Sequence, residues 1–364
     1  MMSLHPNTYN KTRCIAFIFY MKRVLFPLSM LLMCLVGLFT ACIDDGFTTS
    51  PNDVLEFSVD TINFDTIFTA EGTSTRSLKV FNRSDKSVMI SSISLGKGGS
   101  SGFIVNVDGL SGTSFSDTEL RGNDSLFVFI IANIAETGNA QPVEARDSLV
   151  FVTNGVTQHV KLLAQTQDAK RMRGVIINSD TLLTAEKPFI IYDSLVVAPN
   201  VTLTIEPGAT LHFHNSATLN VYGRLVAEGM PGMPITLRGD RLDRMFDNLP
   251  YDLLAGQWGG IRFYEGSFDN RITHASVRGT TWGIKCDSTD LSRTTLTIHN
   301  SVIHNSTANL LDIACNRVRI TNSELSDAGT SVLSIHKGIV DATHCTIVNY
   351  YFYDIIIFFE LIYY

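Results

Sequence analysis

The sequence predicts an all-β protein with two successive domains, a β-sandwich followed by a parallel β-helix. Short segments of alternating apolar and polar residues, typical of half-buried strands, fill the region 54–168. From about residue 174 the chain repeats instead with a period near 22 residues, which is typical of a solenoid. No long segment has helical periodicity, so both regions are predicted to be built from strands.

The first element is an export signal over residues 21–41. Basic residues at 22 and 23 precede an apolar run from Val24 to Phe39, and the small residues Thr40 and Ala41 stand directly before Cys42. This context resembles a bacterial lipobox, although Phe39 replaces the usual leucine. The resemblance implies that the thiol of Cys42 carries diacylglycerol and becomes the new N-terminus. The alternative is an uncleaved membrane anchor, but the run is shorter than the ~20 residues that span a bilayer.

The position of this signal suggests how the flanking residues are used. We expect residues 1–20 to be an over-extended start, with Met21 as the initiator, and residues 42–53 to be a lipidated linker. The acidic pair Asp44–Asp45 resembles the tag that sends lipoproteins of some Gram-negative bacteria to the outer face of the outer membrane. We therefore predict a lipid-anchored, surface-exposed protein of the outer membrane; a periplasm-facing location is the alternative.

Residues 54–168 are predicted to form an immunoglobulin-like β-sandwich. About seven alternating segments, such as Leu55–Val59 and Phe103–Val107, match the number of strands that this architecture needs. The segments Phe64–Phe68 and Ser77–Ser84 resemble immunoglobulin-like modules related to the major sperm protein group. The domain is interpreted as either a binding module or a spacer, since no reactive residues cluster in it.

Residues 172–350 are predicted to form a right-handed parallel β-helix. Four similar segments start at Ile272, Ile298, Ile320 and Ala342, separated by 26, 22 and 22 residues. The register places apolar residues in inward columns, and extra residues in the first interval map to a loop at 287–293. Each repeat has one polar residue at the same place, which predicts a structural ladder at a bend: His274, Asn300, Asn322 and His344. Metal binding by the two imidazoles is the less favoured alternative.

Two further segments connect the chain to a known group of proteins. Leu203–Phe213 and Gln257–Phe263 resemble the first coils of bacterial extracellular β-helix proteins. Nearly the whole mature chain resembles bacterial lipid-anchored surface proteins with an immunoglobulin-like domain followed by a right-handed parallel β-helix of the pectate-lyase-like fold. The resemblance implies a fold and not an activity, because function depends on a site.

The sequence offers no catalytic cluster on the coil. In the repeat register Glu324 aligns with Val302 and Thr346, so acids do not stack as calcium-dependent lyases or glycoside hydrolases require. The densest charged segment is the insertion 238–252. It yields a candidate ligand-binding loop with the residues Asp240, Arg241, Asp243, Arg244, Asp247, Tyr251 and Asp252. The alternative is a solvated loop with internal ion pairs. Catalytic residues, metal ligands and cofactors are not predicted.

The composition of the chain argues against one class of partner, and the last residues of the chain depart from the repeat. A net charge of −7 and the absence of Lys/Arg-rich runs argue against nucleic acid. Cys286, Cys315 and Cys345 have spacings typical of neither disulfides nor zinc sites. Residues 351–364 leave the repeat, which suggests a truncated or frame-shifted end, or an improvised cap.

Together these features predict a non-enzymatic surface lipoprotein. Its partners would be the membrane, through Cys42, and an extracellular polysaccharide or another envelope component bound on the flank of the β-helix. A polysaccharide lyase or glycoside hydrolase, and a purely structural envelope protein without a ligand, are the alternatives.

Overall fold

The structure is a computed structural model that describes residues 46–246 and 248–350, and the backbone of 357–360. The predicted fold class is confirmed: the protein is all-β, with antiparallel and mixed sheets followed by a parallel β-solenoid of about 8 turns. The signal segment, Cys42, the acidic pair Asp44–Asp45 and Asp247 lie outside the described residues.

The N-terminal domain consists of two five-stranded sheets, in the orders β1-β3-β8-β5-β6 and β2-β10-β9-β4-β7. Its strands are β1 (Leu55–Phe57), β2 (Thr61–Phe68), β3 (Arg76–Asn82), β4 (Val88–Leu95), β5 (Phe103–Val107), β6 (Leu110–Gly112), β7 (Ser114–Leu120), β8 (Ser125–Ala132), β9 (Val143–Thr153) and β10 (Val156–Gln167), with a 3-10 turn at Gly98–Ser100. Both sheets contribute to one buried apolar cluster that includes Leu78, Ile90, Val105, Ile130 and Phe151, so the domain is a β-sandwich.

Three of these strands were not predicted from the sequence. β7 has the polar sequence SFSDTEL and lies at a sheet edge, where one side of the strand stays exposed. β6 is three residues long, also at an edge. In β2 the alternation is broken at Asp65, which has a φ of 56° and displaces the pleat. The missed strands therefore lack the alternation on which the prediction rested.

Two residues separate β10 from the first strand of the C-terminal domain. Its strands are β11 (Lys170–Ile177), β12 (Thr181–Leu183), β13 (Phe189–Val197), β14 (Thr202–Ile205), β15 (Thr210–Phe213), β16 (Thr218–Val221), β17 (Arg224–Glu228), β18 (Ile235–Gly239), β19 (Arg244–Phe246), β20 (Leu249–Pro250), β21 (Gly260–Phe263), β22 (Asn270–Thr273), β23 (Ala275–Thr280), β24 (Ile284–Cys286), β25 (Leu296–His299), β26 (Val302–Ser306), β27 (Leu311–Ala314), β28 (Arg317–Thr321), β29 (Glu324–Ala328), β30 (Leu333–His336), β31 (Ile339–Thr343), β32 (Thr346–Val348) and β33 (Ile357–Glu360), with a 3-10 turn at Tyr251–Leu253.

These strands form parallel sheets along the length of the solenoid. One sheet runs β12-β14-β17-β22-β25-β28-β31. Two other faces join through the long strand β13: β15-β18-β23-β26-β29-β32 continues from its first half, and β16-β21-β24-β27-β30-β33 from its second half. The last strand, β33, pairs in parallel with β30, so the backbone of the atypical tail adds a further rung to the stack.

The sequence register agrees with the observed pairing. Ile303 pairs with Leu325, and Leu325 pairs with Ile347, as the 22-residue period predicts. Leu203 likewise pairs with Leu225. The inward columns fill one continuous apolar core along the domain. The predicted alignment of Glu324 with Val302 and Thr346 also holds.

Candidate functional site

The four predicted ladder residues occupy equivalent corners between two faces of the coil. Each has a positive φ: 43° at His274, 48° at Asn300, 50° at Asn322 and 55° at His344. Asparagine and histidine adopt this left-handed conformation more readily than most residues. The amide of Asn300 Nδ2 lies 3.1 Å from His274 Nε2, and the backbone N–H of Asn300 donates to the carbonyl of Thr321 on the next coil. These contacts join neighbouring coils at the corner and hold the backbone there.

The candidate loop 238–252 divides into two groups of charges. The first group lies over the outer face of the β18–β23–β26 sheet. Arg238 and Arg278 are adjacent outward residues of the coil, and Asp252 joins them: its Oδ1 lies 3.1 Å from Arg238 Nη2 and 2.8 Å from Arg278 Nε. Burial disfavours the charged form of this carboxyl, but the hydrogen bond from Arg278 and the charge of Arg238 outweigh it and lower the pKa of Asp252.

The second group faces the sandwich. His214 Nδ1 lies 2.5 Å from Asp240 Oδ2, and Arg241 makes a bidentate pair with Asp243 at 2.7 and 2.8 Å. Ser74 of the sandwich donates to Asp243 at 3.1 Å. These residues and the strand β2 line a cleft of about 160 Å³ between the two domains. The loop therefore contributes to the junction of the domains.

A cation–π contact joins two residues of the loop. The Arg241 guanidinium lies 3.9 Å from the ring centroid of Tyr251. The structure thus brings Asp240, Arg241 and Asp243 together at the cleft and places Asp252 on the other side, with Tyr251 beneath Arg241. Arg244 begins the short strand β19 at the exposed tip. Most of the described charges of this loop are paired within the protein.

An apolar cluster completes the junction. Phe68 of the sandwich packs with Ala169, Ile190 and Tyr192, and Leu242 of the loop contacts the same cluster. The Phe68 ring meets the ring of His212 edge-on at 4.9 Å. Burial lowers the pKa of His212 to about 4, so this imidazole is neutral at physiological pH.

A different surface combines exposed aromatic and polar groups, on the outer side of the β16–β21–β24 sheet. We define the aromatic flank as Asn220, Tyr222, Arg262, Tyr264, Lys285 and Asp287. The rings of Tyr222 and Tyr264 stack with centroids 4.0 Å apart and planes 15° apart. The guanidinium of Arg262 lies 4.6 Å from the Tyr264 centroid and donates to both oxygens of Asp287, at 3.0 and 3.1 Å.

Hydrogen bonding orders this flank further. The hydroxyl of Tyr264 donates to Asn220 Oδ1 at 3.3 Å, and Tyr222 is 38% exposed. Burial raises the pKa of Tyr264, so its phenol keeps its proton and remains a hydrogen-bond donor at neutral pH. The pairing register continues the column from Asn220 through Arg262, Lys285 and Asp312.

The sequence reasoning missed the aromatic flank for a specific reason. Tyr222 and Tyr264 follow paired strands but stand 42 positions apart, because the insertion 238–252 falls between their coils. A search for a 22-residue period does not connect them. The signal that could have found them is the similarity of Val221–Tyr222 and Phe263–Tyr264, each an inward apolar residue followed by tyrosine at the end of a strand.

The described residues contain neither a metal-binding group nor a membrane-spanning helix. Within residues 46–246 and 248–350, no three His, Cys, Asp or Glu side chains form a group able to hold a metal ion. No helix in that same part of the chain is long and apolar enough to cross a bilayer. The three cysteines of the coil are free thiols, and burial raises the pKa of Cys286.

No family model matches the sequence, and no curated protein matches it significantly. A structure of a protein of unknown function from Porphyromonas gingivalis W83 is 13% identical over 35% of this chain and 50% of its own, with a TM-score of 0.24. This chain thus spans half the length of that protein.

Two other solved structures are similar over parts of this chain. The PapD-like domain 7 of human CEP192 is 17% identical over 34% of this chain and 92% of its own, with a TM-score of 0.23. A family 123 glycoside hydrolase from Clostridium perfringens is 9% identical over 31% of this chain and 26% of its own, with a TM-score of 0.22. Likenesses this weak carry no inference about the function of this chain.

Proposed function

We propose that this protein is a lipid-anchored component of a bacterial outer membrane that binds extracellular carbohydrate, or another hydroxyl-rich envelope component, without catalysis. The observation that supports this proposal is the aromatic flank. Sugars present apolar C–H faces and many hydroxyl groups, and the flank offers matching partners. Tyrosine provides an apolar ring with a polar tip, and the arginine, asparagine and aspartate beside it are planar donors and acceptors.

The dimensions of the flank favour a chain over a single sugar. Its outward column runs from Asn220 to Asp312 over three steps between coils. At about 4.8 Å for each step, the column is about 14 Å long. The strands that carry it belong to a packed coil, so the contacts are held in place before a ligand arrives, which lowers the entropic cost of binding.

One observation favours hydrolysis as a second candidate. Asp287 and Asp312 lie on adjacent coils at diagonal positions, since Asp312 pairs with Lys285. Diagonal positions on neighbouring strands are about 7–8 Å apart, which would allow the two carboxyls the separation that an inverting glycosidase needs. Binding remains favoured, because Asp287 is engaged by Arg262 and His336 Nε2 lies 3.8 Å from Asp312.

The experiment uses a chain of residues 43–364, which keeps both apolar cores because the first core residue is Leu55. Affinity electrophoresis against a panel of glycans should show a retarded band without new reducing or unsaturated ends. Tyr264→Ala should abolish the retardation, whereas Tyr251→Ala, in the loop, should leave it unchanged.

Other outcomes would redirect the proposal. New chain ends that disappear in Asp312→Asn would indicate a hydrolase, and unsaturated ends would indicate a lyase. Loss of binding in Tyr251→Ala alone would transfer the site to the candidate loop. The absence of both retardation and products across the whole panel would favour a structural protein without a ligand.

A further inference from the structure

One sheet of the sandwich has an unusually apolar outer surface. We define the apolar sheet face as Phe81, Ile104, Phe127, Phe129 and Ile131, which lie on the outer side of strands β3, β5 and β8. Ile104, Phe127 and Phe129 are 44%, 48% and 43% exposed. The register joins them into one patch, because Ile104 pairs directly with Ile131, and the two exposed phenylalanine rings stack at 6.1 Å.

This surface is not explained by the folding of the domain. The inward residues of β8, such as Val128 and Ile130, already supply the core, so the outer phenylalanines are not needed there. The other sheet follows the usual pattern, in which the outer side is polar: β10 presents Thr157, His159 and Lys161 outward. A contiguous exposed apolar patch of this kind usually marks a docking surface.

The path of the chain places this face beside the predicted anchor. The described chain begins at residue 46, and Phe47 forms a β-bridge with Ser87, in the turn that follows β3. Phe81 stands near the end of β3, just before this turn. Residue 46 stands four positions after Cys42, a span of at most about 14 Å. A lipid on Cys42 would therefore hold this end of the face close to the bilayer.

Cationic side chains border the same end. Lys79 Nζ lies 5.0 Å from the ring of Phe81 and 5.4 Å from the ring of Phe127. The guanidinium of Arg83 lies 4.3 Å from the Phe81 ring. Arg83 also pairs with Glu56 at 2.9 Å, so Lys79 is the cation of this border that can reach lipid phosphates when the rings enter the headgroup layer.

We propose that the apolar sheet face docks on the surface of a lipid bilayer, so that the sandwich lies on the membrane instead of standing upright as a stalk. The proposal takes membrane attachment at Cys42 from the proposed function, and it is independent of glycan binding. The lipid anchor would keep the sandwich near the bilayer, and insertion of the phenylalanines would set the orientation of the sandwich on it.

The first test replaces the natural anchor by an artificial tether, so that it does not depend on lipidation. Residues 43–364 with an N-terminal histidine tag are held on phosphatidylethanolamine–phosphatidylglycerol vesicles that contain a nickel-chelating lipid. Hydroxyl-radical labelling of Phe127 and Phe129 should fall several-fold on the vesicles. Labelling of Ile176 and Leu182, which are 58% and 55% exposed on the coil, should not change. Equal labelling of the phenylalanines with and without vesicles would overturn the proposal.

The second test measures sedimentation of the untagged chain with the same vesicles without the chelator. The double variant Phe127→Thr, Phe129→Thr should bind about tenfold more weakly, because it withdraws two half-exposed rings from the contact. Threonine is favoured in strands, so the fold should survive. The matched control Ile176→Thr, Leu182→Thr should bind like the parent.

Two results would assign the face to another occupant. A dimer in sedimentation velocity that the double variant dissociates, without vesicle binding, would indicate a second copy of the chain. Loss of glycan retardation in the double variant would indicate carbohydrate. If glycans bind through Tyr264 while vesicle contact fails, only the docking proposal falls.

Discussion

Leu325 and Ile303 pair directly across neighbouring coils, and their side chains are 0% and 1% exposed. The contact is one step of an inward column, so each residue covers the one before it. A parallel coil of this kind is stabilised by such nearest-neighbour steps, and damage to one step should spread mainly to the adjacent coils.

Leu325→Asp should therefore destabilise the coil and spare the sandwich. A carboxylate in this column loses its hydration without gaining a partner, at a cost of several kcal/mol unless it is protonated. Hydrogen exchange should show lost protection in the coil and unchanged protection in the sandwich, which has a separate core.

Thr297→Asp is the matched control for this substitution. Thr297 points outward between Arg271 and Arg319, its partners on the two adjacent coils. A carboxylate there gains opposite charges across the strands and should be neutral or slightly stabilising. If Leu325→Asp left the coil as protected as the parent, the 22-residue register would be wrong.

The corner residue Asn300 allows a test of backbone conformation. Its φ of 48° is left-handed, where a Cβ costs about 1–2 kcal/mol and glycine pays no such penalty. Asn300→Ala and Asn300→Gly both lose the hydrogen bond to His274. Asn300→Gly should therefore be the more stable of the two, by about 1 kcal/mol.

Tryptophan fluorescence during urea unfolding can measure this difference. Both tryptophans of the chain, Trp258 and Trp282, lie in the coil, so the signal reports on that domain alone. Equal midpoints for the two variants would mean that the corner relaxes out of the left-handed region.

The extent of successful prediction follows from the range of the interactions. The sequence predicts the column of Ile303, Leu325 and Ile347 correctly, because inward residues of a repeat recur at a constant interval along the chain. The repeat predicts the place of Asn300 in a polar ladder, but it does not predict the left-handed backbone, because hydrogen bonding alone also accounts for an asparagine at a bend.

The junction of the two domains could not be predicted. Phe68 and Leu242 contact one cluster although they are 174 positions apart, and no repeat relates the two positions. The sequence shows the charges of the loop 238–252, but it does not show that they pair with Ser74, His214 and Arg278. A tertiary contact without periodicity leaves no local signal.

Asp168 connects the two domains and provides a pH-dependent prediction. It is 3% exposed, and its Oδ1 accepts from the Thr69 hydroxyl at 2.9 Å and from the Thr137 N–H at 3.0 Å. Its Oδ2 accepts from the Gly138 N–H at 2.7 Å and lies 3.3 Å from Lys187 Nζ. Burial by itself would raise the pKa of Asp168, but these hydrogen bonds outweigh burial and lower the pKa to about 2.

Because this pKa lies below its ordinary value of 3.8, the carboxylate stabilises the fold fully above that value. The contribution should disappear as the pH falls from 3.8 toward 2. Asp168→Asn should cost roughly 1–3 kcal/mol at neutral pH, since it weakens the acceptor of two buried N–H groups. Its stability should also change less than that of the parent in this acidic range.

Hydrogen exchange at Thr137 and Gly138 would locate the effect, because the backbone N–H groups of these two residues donate directly to the Asp168 carboxylate. Asp193→Asn is the control: Asp193 is exposed, 3.6 Å from Arg173, and its φ of 61° suits asparagine equally well. A surface pair of this kind contributes about 0–1 kcal/mol. Equal effects of the two substitutions would contradict the special role of Asp168.

Lipid attachment is the prediction on which the location of the protein depends. The thioether to diacylglycerol needs the sulfur of Cys42, so Cys42→Ala should leave the precursor uncleaved and unlabelled by a fatty-acid analogue. Cys34→Ala is the matched control, because Cys34 lies within the apolar run and should not be acylated. Labelling and cleavage in that variant should equal those of the parent. If Cys42→Ala were labelled like the parent, the acyl group would be attached to another residue, and the predicted surface location would lose its basis.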